Sequence, residues 1–266
     1  MLDRYNREIN YLRISVTDKC NLRCKYCMPE EGVPLINHCD VISFEEIVEV
    51  VKFGVSKGIN KIRITGGEPL VRRGIVELVR LLSGIEGVKD LAMTTNGILL
   101  SKYAERLKNA GLKRVNISLD TMNPDKYRDI TRGGDIQKVF DGIEAAKLHG
   151  LLPIKLNCVV FKSSDEEDAR EVSDFGARND LAVRYIHRMD LKTGDFSIVD
   201  GGDGGNCAVC NRLRLTSNGM IKPCLFSDLE YSIREFGVEK AFLMAIDHKP
   251  QCGTINNSGQ FSNIGG

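Results

Sequence analysis

Between residues 11 and 187 the sequence alternates short β-branched runs with longer amphipathic stretches, the rhythm of βαβ units around a mostly parallel sheet. The runs are 11–16, 61–65, 90–94, 114–119, 154–161 and 183–186, and the stretches between them are 44–57, 71–82, 102–110, 136–148 and 164–178. In the first stretch Ile47, Val50, Val51 and Val55 recur at helical spacing, and Ser43 with Glu46 three residues on forms a capping-box signature. Gly58, Gly111 and Gly150 read as helix ends. Six strands joined by short loops and right-handed crossovers predict an α/β fold, an incomplete (β/α)6 TIM-type barrel. A doubly wound open sheet is the alternative.

In either architecture the ends of the strands collect the chemistry. Strand one is followed by Thr17-Asp18-Lys19-Cys20, strand two by Gly66-Gly67-Glu68-Pro69, strand three by Thr95-Asn96-Gly97, and strand four closes on Ser118-Leu119-Asp120-Thr121. Lys155 and Asn157 share a face of strand five, and Arg184 opens strand six. Each alone could be a turn or a cap, and their joint placement is the stronger sign.

Six of the nine cysteines fall in two triplets, Cys20-x3-Cys24-x2-Cys27 and Cys207-x2-Cys210 followed by Cys224. With 266 residues and a 42% apolar fraction, the chain has core enough to need no disulfide staples. Its polar first residues and the lack of any apolar run of about 18 place it in a reducing cytoplasm, where clustered thiols are metal ligands or catalytic groups. Structural zinc normally takes four closed ligands. Three thiolates suit a [4Fe-4S] cluster with one iron left open to an exogenous molecule. A cluster at each triplet is the leading reading, with zinc as the competitor. Cys158 reads as a small buried hydrophobe, and the roles of Cys39 and Cys252 stay open. With 37 basic against 36 acidic residues, net charge points to neither nucleic acid nor a membrane surface.

The three-cysteine loop after strand one, with Tyr26 before its last cysteine and Gly66-Gly67-Glu68-Pro69 after strand two, resembles the radical S-adenosylmethionine (SAM) superfamily. Leu12–Asp18, Arg63–Leu70, Asn116–Thr121, Cys210–Thr216 and the terminal Ile264-Gly265-Gly266 are most similar to the GTP 3′,8-cyclases of molybdenum cofactor biosynthesis. The resemblance implies an enzyme with two [4Fe-4S] clusters that cleaves SAM to a 5′-deoxyadenosyl radical. That radical would take hydrogen from C3′ of the GTP ribose, giving 3′,8-cyclo-7,8-dihydro-GTP. Carried over residue by residue, Cys20, Cys24 and Cys27 would hold the first cluster and Cys207, Cys210 and Cys224 the second. Tyr26, Gly67, Glu68, Thr95 and Ser118 would surround SAM. Arg13, Lys61, Arg63, Lys155, Arg184, Arg212 and Arg214 would bind the substrate, with Arg212 counted among the catalytic groups. A triphosphate brings roughly four negative charges, which gives inward-facing cations an independent reason to exist.

The implied organisation is a barrel over 1–187, a glycine-rich linker over 188–206, and a C-terminal cysteine-rich extension over 207–266 that carries the second cluster and a Gly-Gly tail reaching in beside Arg212. The linker is shorter than the family's corresponding segment, and His187 stands where the family has an acid. Those departures keep open a radical SAM enzyme acting on another nucleotide or a peptide, and the two triplets leave a zinc-binding module without activity as a further alternative. The expected partners are GTP and an electron donor such as a flavodoxin or ferredoxin, with a homodimer left open and no nucleic acid or membrane.

Overall fold

The computed structural model describes residues 1–257 and 261–265. Strands β1 (Tyr11–Ser15), β2 (Lys61–Thr65), β3 (Asp90–Thr95), β4 (Arg114–Ser118), β5 (Lys155–Val160) and β6 (Ala182–His187) pair in chain order, every pair parallel. Helices α1 (Phe44–Ser56), α2 (Ile75–Ser83), α3 (Leu100–Asn109), α4 (Pro124–Thr131), α5 (Ile136–Leu148) and α6 (Glu167–Arg178) run between them. Monotonic strand order decides between the two expected architectures. Right-handed crossovers that always step in one direction place every helix on the same face, whereas a doubly wound sheet reverses direction part-way. The fold is therefore an incomplete barrel.

The barrel does not close, because the free edge of β1 is taken by β7 (Arg212–Leu215) rather than by β6. Strand β7 is parallel to β1, and β8 (Met220–Lys222) and β9 (Tyr231–Ser232) continue the same sheet antiparallel. Helices α7 (Ile233–Phe236) and α8 (Val238–Asp247) follow, and α9 (Phe261–Ile264) lies near the end of the chain. Phe242 of α8 is fully buried, its ring 5.5 Å from that of Phe53 on α1 in an edge-on contact. Burying such a ring contributes about 1.5–3 kcal/mol, so the C-terminal unit is anchored to the barrel's helical layer as well as to its sheet.

Local chemistry explains most boundaries. Ser43 and Glu46 form the predicted reciprocal cap of α1. Gly58, Gly111 and Gly150 each follow a cap residue with positive φ, as expected for helix ends. The stretch 71–82 does not form one helix: a 3-10 turn at Pro69–Val71 comes first, and α2 starts only after Gly74, whose φ of +81° breaks the pattern. Periodicity overlooked α4, although Asn123 accepts from the backbone N–H groups of Asp125 and Lys126 and Pro124 fills the first helical position.

Residues 188–206, expected as a linker, fold back on β6. Asp200 exchanges backbone hydrogen bonds with Tyr185, Asp190 does so with Asp195, and the Asn256 N–H donates to the Leu191 carbonyl. Among the described residues no helix is long and apolar enough to cross a membrane.

Candidate active site

The carboxyl ends of β1 to β4 meet at the first cysteine loop. Gly67 N–H donates to the Thr17 carbonyl at 2.7 Å and Glu68 N–H to the Lys19 carbonyl at 2.9 Å, which docks the Gly-Gly-Glu-Pro turn against the chain entering Cys20. That approach admits no side chain. A Cβ on Gly66 would lie 2.5 Å from the Thr17 oxygen and one on Gly67 2.4 Å from the Lys19 oxygen, and Gly66 also has φ +144°. On its other side the loop is held by α4: Arg23 N–H and Lys25 N–H donate to the Thr131 and Ile130 carbonyls, and Arg132 donates to the Arg23 and Met28 carbonyls.

A cavity of about 190 Å³ opens beside Cys20, Cys24 and Cys27 and is lined further by Tyr26, Gly67, Thr95, Ser118, Asn157 and His187. Of the residues expected around SAM, only Glu68 does not line it. Its carboxylate is fully buried and accepts from Leu70 N–H (3.0 Å), Asn96 N–H (2.7 Å) and the Thr95 hydroxyl (2.8 Å). Burial nevertheless pushes its pKa up to about 7, against the opposing pull of those donors. The Tyr26 hydroxyl donates to Asp120 at 2.7 Å, and the other oxygen of Asp120 accepts from Val159 N–H at 2.8 Å. Burial raises all three thiols, with Cys24 reaching about 12 through the added repulsion of Asp120 and Cys20. Cys158, expected as a buried hydrophobe, is fully buried.

The second triplet lies where β7 begins and β8 ends. Cys207 starts a 3-10 turn capped by Asn206, Cys210 ends it, and Cys224 follows β8. Two residues that sequence reasoning passed over assemble this corner. Buried Arg7 donates to the carbonyls of Cys207 (2.8 Å), Gln251 (2.8 Å) and Pro250 (2.7 Å) while paired with Asp3. Buried Lys249 donates to the Arg212 and Pro223 carbonyls, both at 2.7 Å. Burial raises the Cys210 thiol, but the Lys249 ammonium and the Arg212 guanidinium outweigh it and leave the thiol lowered. Cys252 joins the group, its thiol close enough to that of Cys207 to help raise it, and Gly253 packs so closely on Cys224 that a Cβ there would lie 3.0 Å from the sulfur. A zinc ion needs its sulfurs about 2.3 Å from one point, and among the described residues no group of three or more ligating side chains converges in that way. Thiolates on three different irons need share no such point.

The expected substrate cations stand toward the amino ends of the strands, on the opposite side from the first cysteine loop, which corrects the expectation that Lys155 and Arg184 gather at the carboxyl ends. Arg63 is nearly fully buried, and its Nε and Nη1, like Nε of Arg184, have no hydrogen-bond partner among the described residues. Arg13 and Arg214 are driven down to about 10 and about 9, first by burial; cationic neighbours add to this, Arg63 and Arg212 beside Arg13, and Arg13 and Arg212 beside Arg214. Lys155 is lowered by burial and then by Arg184 and Arg114. Lys61 is exposed at the start of its strand. Arg114, which the sequence reading did not select, joins the set, paired with Asp90 at 2.6 Å but with one buried nitrogen unpartnered. The tail does reach this region, but the Gly265 carbonyl accepts from Arg13 and Arg214 rather than meeting Arg212. Gly266 lies outside the described residues. Buried guanidinium nitrogens that lack a partner, as on Arg63, Arg114 and Arg184, are costly unless an anion completes them, so this end of the lumen fits a polyanion.

Residues 14–176 match the radical SAM superfamily. The chain is 45% identical to the GTP 3′,8-cyclase of Alkaliphilus oremlandii, over 88% of this chain and 86% of that protein, and 46% identical to that of Peptoclostridium acidaminophilum, over 88% and 85%. Because 88% of 266 residues is about 234, the 275-position alignment to the first passes over about 40 positions that this chain lacks. Among solved structures, Streptococcus suis SuiB covers 93% of this chain and 68% of its own at a TM-score of 0.65 and 16% identity. Methylornithine synthase covers 69% and 54% at 0.57 and 18%. These last two are likenesses of fold. By its matched domain and its identity to relatives along most of their length, the chain belongs to the GTP 3′,8-cyclase family of the radical SAM superfamily.

Proposed function

We propose that this chain is a GTP 3′,8-cyclase, forming 3′,8-cyclo-7,8-dihydro-GTP in the first step of molybdenum cofactor biosynthesis. The observation that carries the reading is the pairing of a three-thiol loop and cavity at one end of the strands with buried guanidinium nitrogens of Arg63 and Arg184 that lack a partner toward the other. When bound, the first of two [4Fe-4S] clusters would supply the electron that cleaves SAM, and SAM the 5′-deoxyadenosyl radical that takes hydrogen from C3′ of the ribose. Cys20, Cys24 and Cys27 hold the first cluster, and Cys207, Cys210 and Cys224 hold the second.

The protein's own work is placement. Tyr26, Gly67, Thr95 and Ser118 line the space for SAM, and Glu68 provides the negative charge that its ammonium requires. Arg13, Lys61, Arg63, Lys155, Arg184, Arg212 and Arg214 gather the substrate and its triphosphate, with Arg212 also orienting it for reaction. Residues 1–187 then form the barrel that generates the radical, and 207–266 the unit that closes the substrate end. The segment 188–206, short for the family, leaves a shorter wall over the substrate. The reductant is a flavodoxin or a ferredoxin.

The test is anaerobic incubation of the reconstituted protein with dithionite, SAM and GTP. The expected result is 5′-deoxyadenosine and a cyclic guanosine product in equal amounts. Deoxyadenosine that forms at the same rate without GTP, with no nucleotide product, would sink the reading.

A further inference from the structure

Strands β2, β1 and β7 lie side by side in register, and in a parallel sheet residues in register share a face. One row across them is Lys61, Tyr11 and Arg212, and the next is Arg63, Arg13 and Arg214. Five members of this grid are cations, which have donors and no acceptor. The sixth, Tyr11, is the only one with an oxygen, and it occupies the middle of its row.

Each part of Tyr11 meets a different cation. Its phenol lies among the guanidiniums of Arg63 and Arg13, whose charges act on it, and Cζ of Arg212 stands 5.7 Å from the centre of its ring. Arg63 still keeps two buried nitrogens without a partner, so the contact orients that fork without using it up. Burial would raise the phenol's pKa, yet the charges of Arg63, Arg13 and Arg212 prevail and lower it. Tyr11 is not among the residues lining the cavity beside the first cysteine loop. The groups it stands against are the side chains of Arg63, Arg13 and Arg212.

We propose that Tyr11 is a positioning residue that holds the guanidiniums of Arg13, Arg63 and Arg212 as one preformed array for the polyphosphate of the substrate. Three cations on one face would otherwise spread apart, and an incoming triphosphate would have to gather them again. Preorganisation removes that cost from binding. The inference rests on GTP being the substrate.

The experiment compares wild type, Tyr11→Phe, Tyr11→Leu and Arg212→Ala, each reconstituted anaerobically, by calorimetric binding of GTP and guanosine and by steady-state kinetics. Tyr11→Phe keeps the ring under Arg212 and removes only the acceptor. It should raise Kd and KM for GTP about tenfold, the loss expected for hydrogen bonds to charged groups. Its kcat, iron content, SAM affinity and guanosine affinity should stay at wild-type values. Tyr11→Leu should lose more GTP affinity, because the face beneath Arg212 also goes. Unchanged GTP binding in Tyr11→Phe, alongside weakened binding in Arg212→Ala, would overturn the role of Tyr11 and leave the substrate reading standing. A fall in kcat at constant KM, an equal loss for guanosine, or a loss of iron would also overturn it. Wild-type protein that binds GTP no better than guanosine would instead remove the substrate reading itself, and this inference with it.

Discussion

The two cysteine triplets have the same count of thiols and opposite surroundings. Around the first, acids weigh most: Asp120 bears on Cys24 and Cys27, and Glu68 bears on Cys20 more strongly than the opposing Arg23. Around the second stand Lys249, Arg212 and Arg214, and Cys210 is lowered where Cys24 is raised to about 12. The difference follows the ligand each end would receive. Acidic surroundings suit a sulfonium and an ammonium, as in SAM, and basic surroundings suit a triphosphate. In a chain whose charges almost cancel, that separation is built by placement and not by total charge.

The sharpest way to break the comparison is Cys24→Ala. Removal of one thiolate from the first set should abolish SAM cleavage and lower iron by about four per chain, with the second cluster's iron retained. Retention of all the iron, or full deoxyadenosine formation, would show that the two sets do not divide the work. Next in size is Arg63→Ala, which removes a buried fork with two open nitrogens. GTP affinity should fall about 10- to 150-fold, the range for charged hydrogen bonds, while SAM affinity holds. Equal losses for both ligands in binding titrations would contradict the division into an acidic and a basic end.

A pH series tests the acidic end. The pKa of Glu68 is raised from 4.5 to about 7 by burial, so folding favours its neutral form. That contribution to stability is fully present below about 4.5 and is lost as pH rises through about 7. Binding of the SAM ammonium needs the carboxylate, so SAM affinity should improve by up to about tenfold per pH unit below 7 and level off above it. A flat profile between pH 5.5 and 8 would remove Glu68 from the SAM site. The smallest effect is expected from Asp120→Asn, which keeps an oxygen to accept from Val159 N–H and an NH2 that can donate to the Tyr26 hydroxyl, but removes a charge that raises Cys24. SAM affinity should shift by a few-fold, on the scale of one neutral hydrogen bond, with iron unchanged. A loss as large as that of Cys24→Ala would mean that Asp120 holds the cysteine loop itself.

Legibility was uneven, and local signals account for most of what was legible. The strands, the α1 capping box and the fully matching α5 follow from periodicity and caps that need only near neighbours in sequence. The stretch at 71–82 failed because Gly74 interrupts a run whose apolar spacing continues through it. At the site, Cys20, Cys24, Cys27 and Gly66-Gly67 were readable because they are contiguous. Arg7, Lys249, Cys252 and Tyr11 were not, since each matters through partners 26 to 244 positions away or across strands.

By itself the sequence determined the βαβ order, the two cysteine sets and the membership of a family, because these reside in spacing along the chain. Tertiary structure alone decided that β7 takes the free edge of β1, so that Arg212 and Arg214 join Tyr11 and Arg13 on one face. It also decided that acids collect at one end of the strands and cations toward the other. The physical reason is that charge interacts through space: a guanidinium is assigned by what stands within a few ångströms of it, and that neighbourhood does not exist until the sheet has formed.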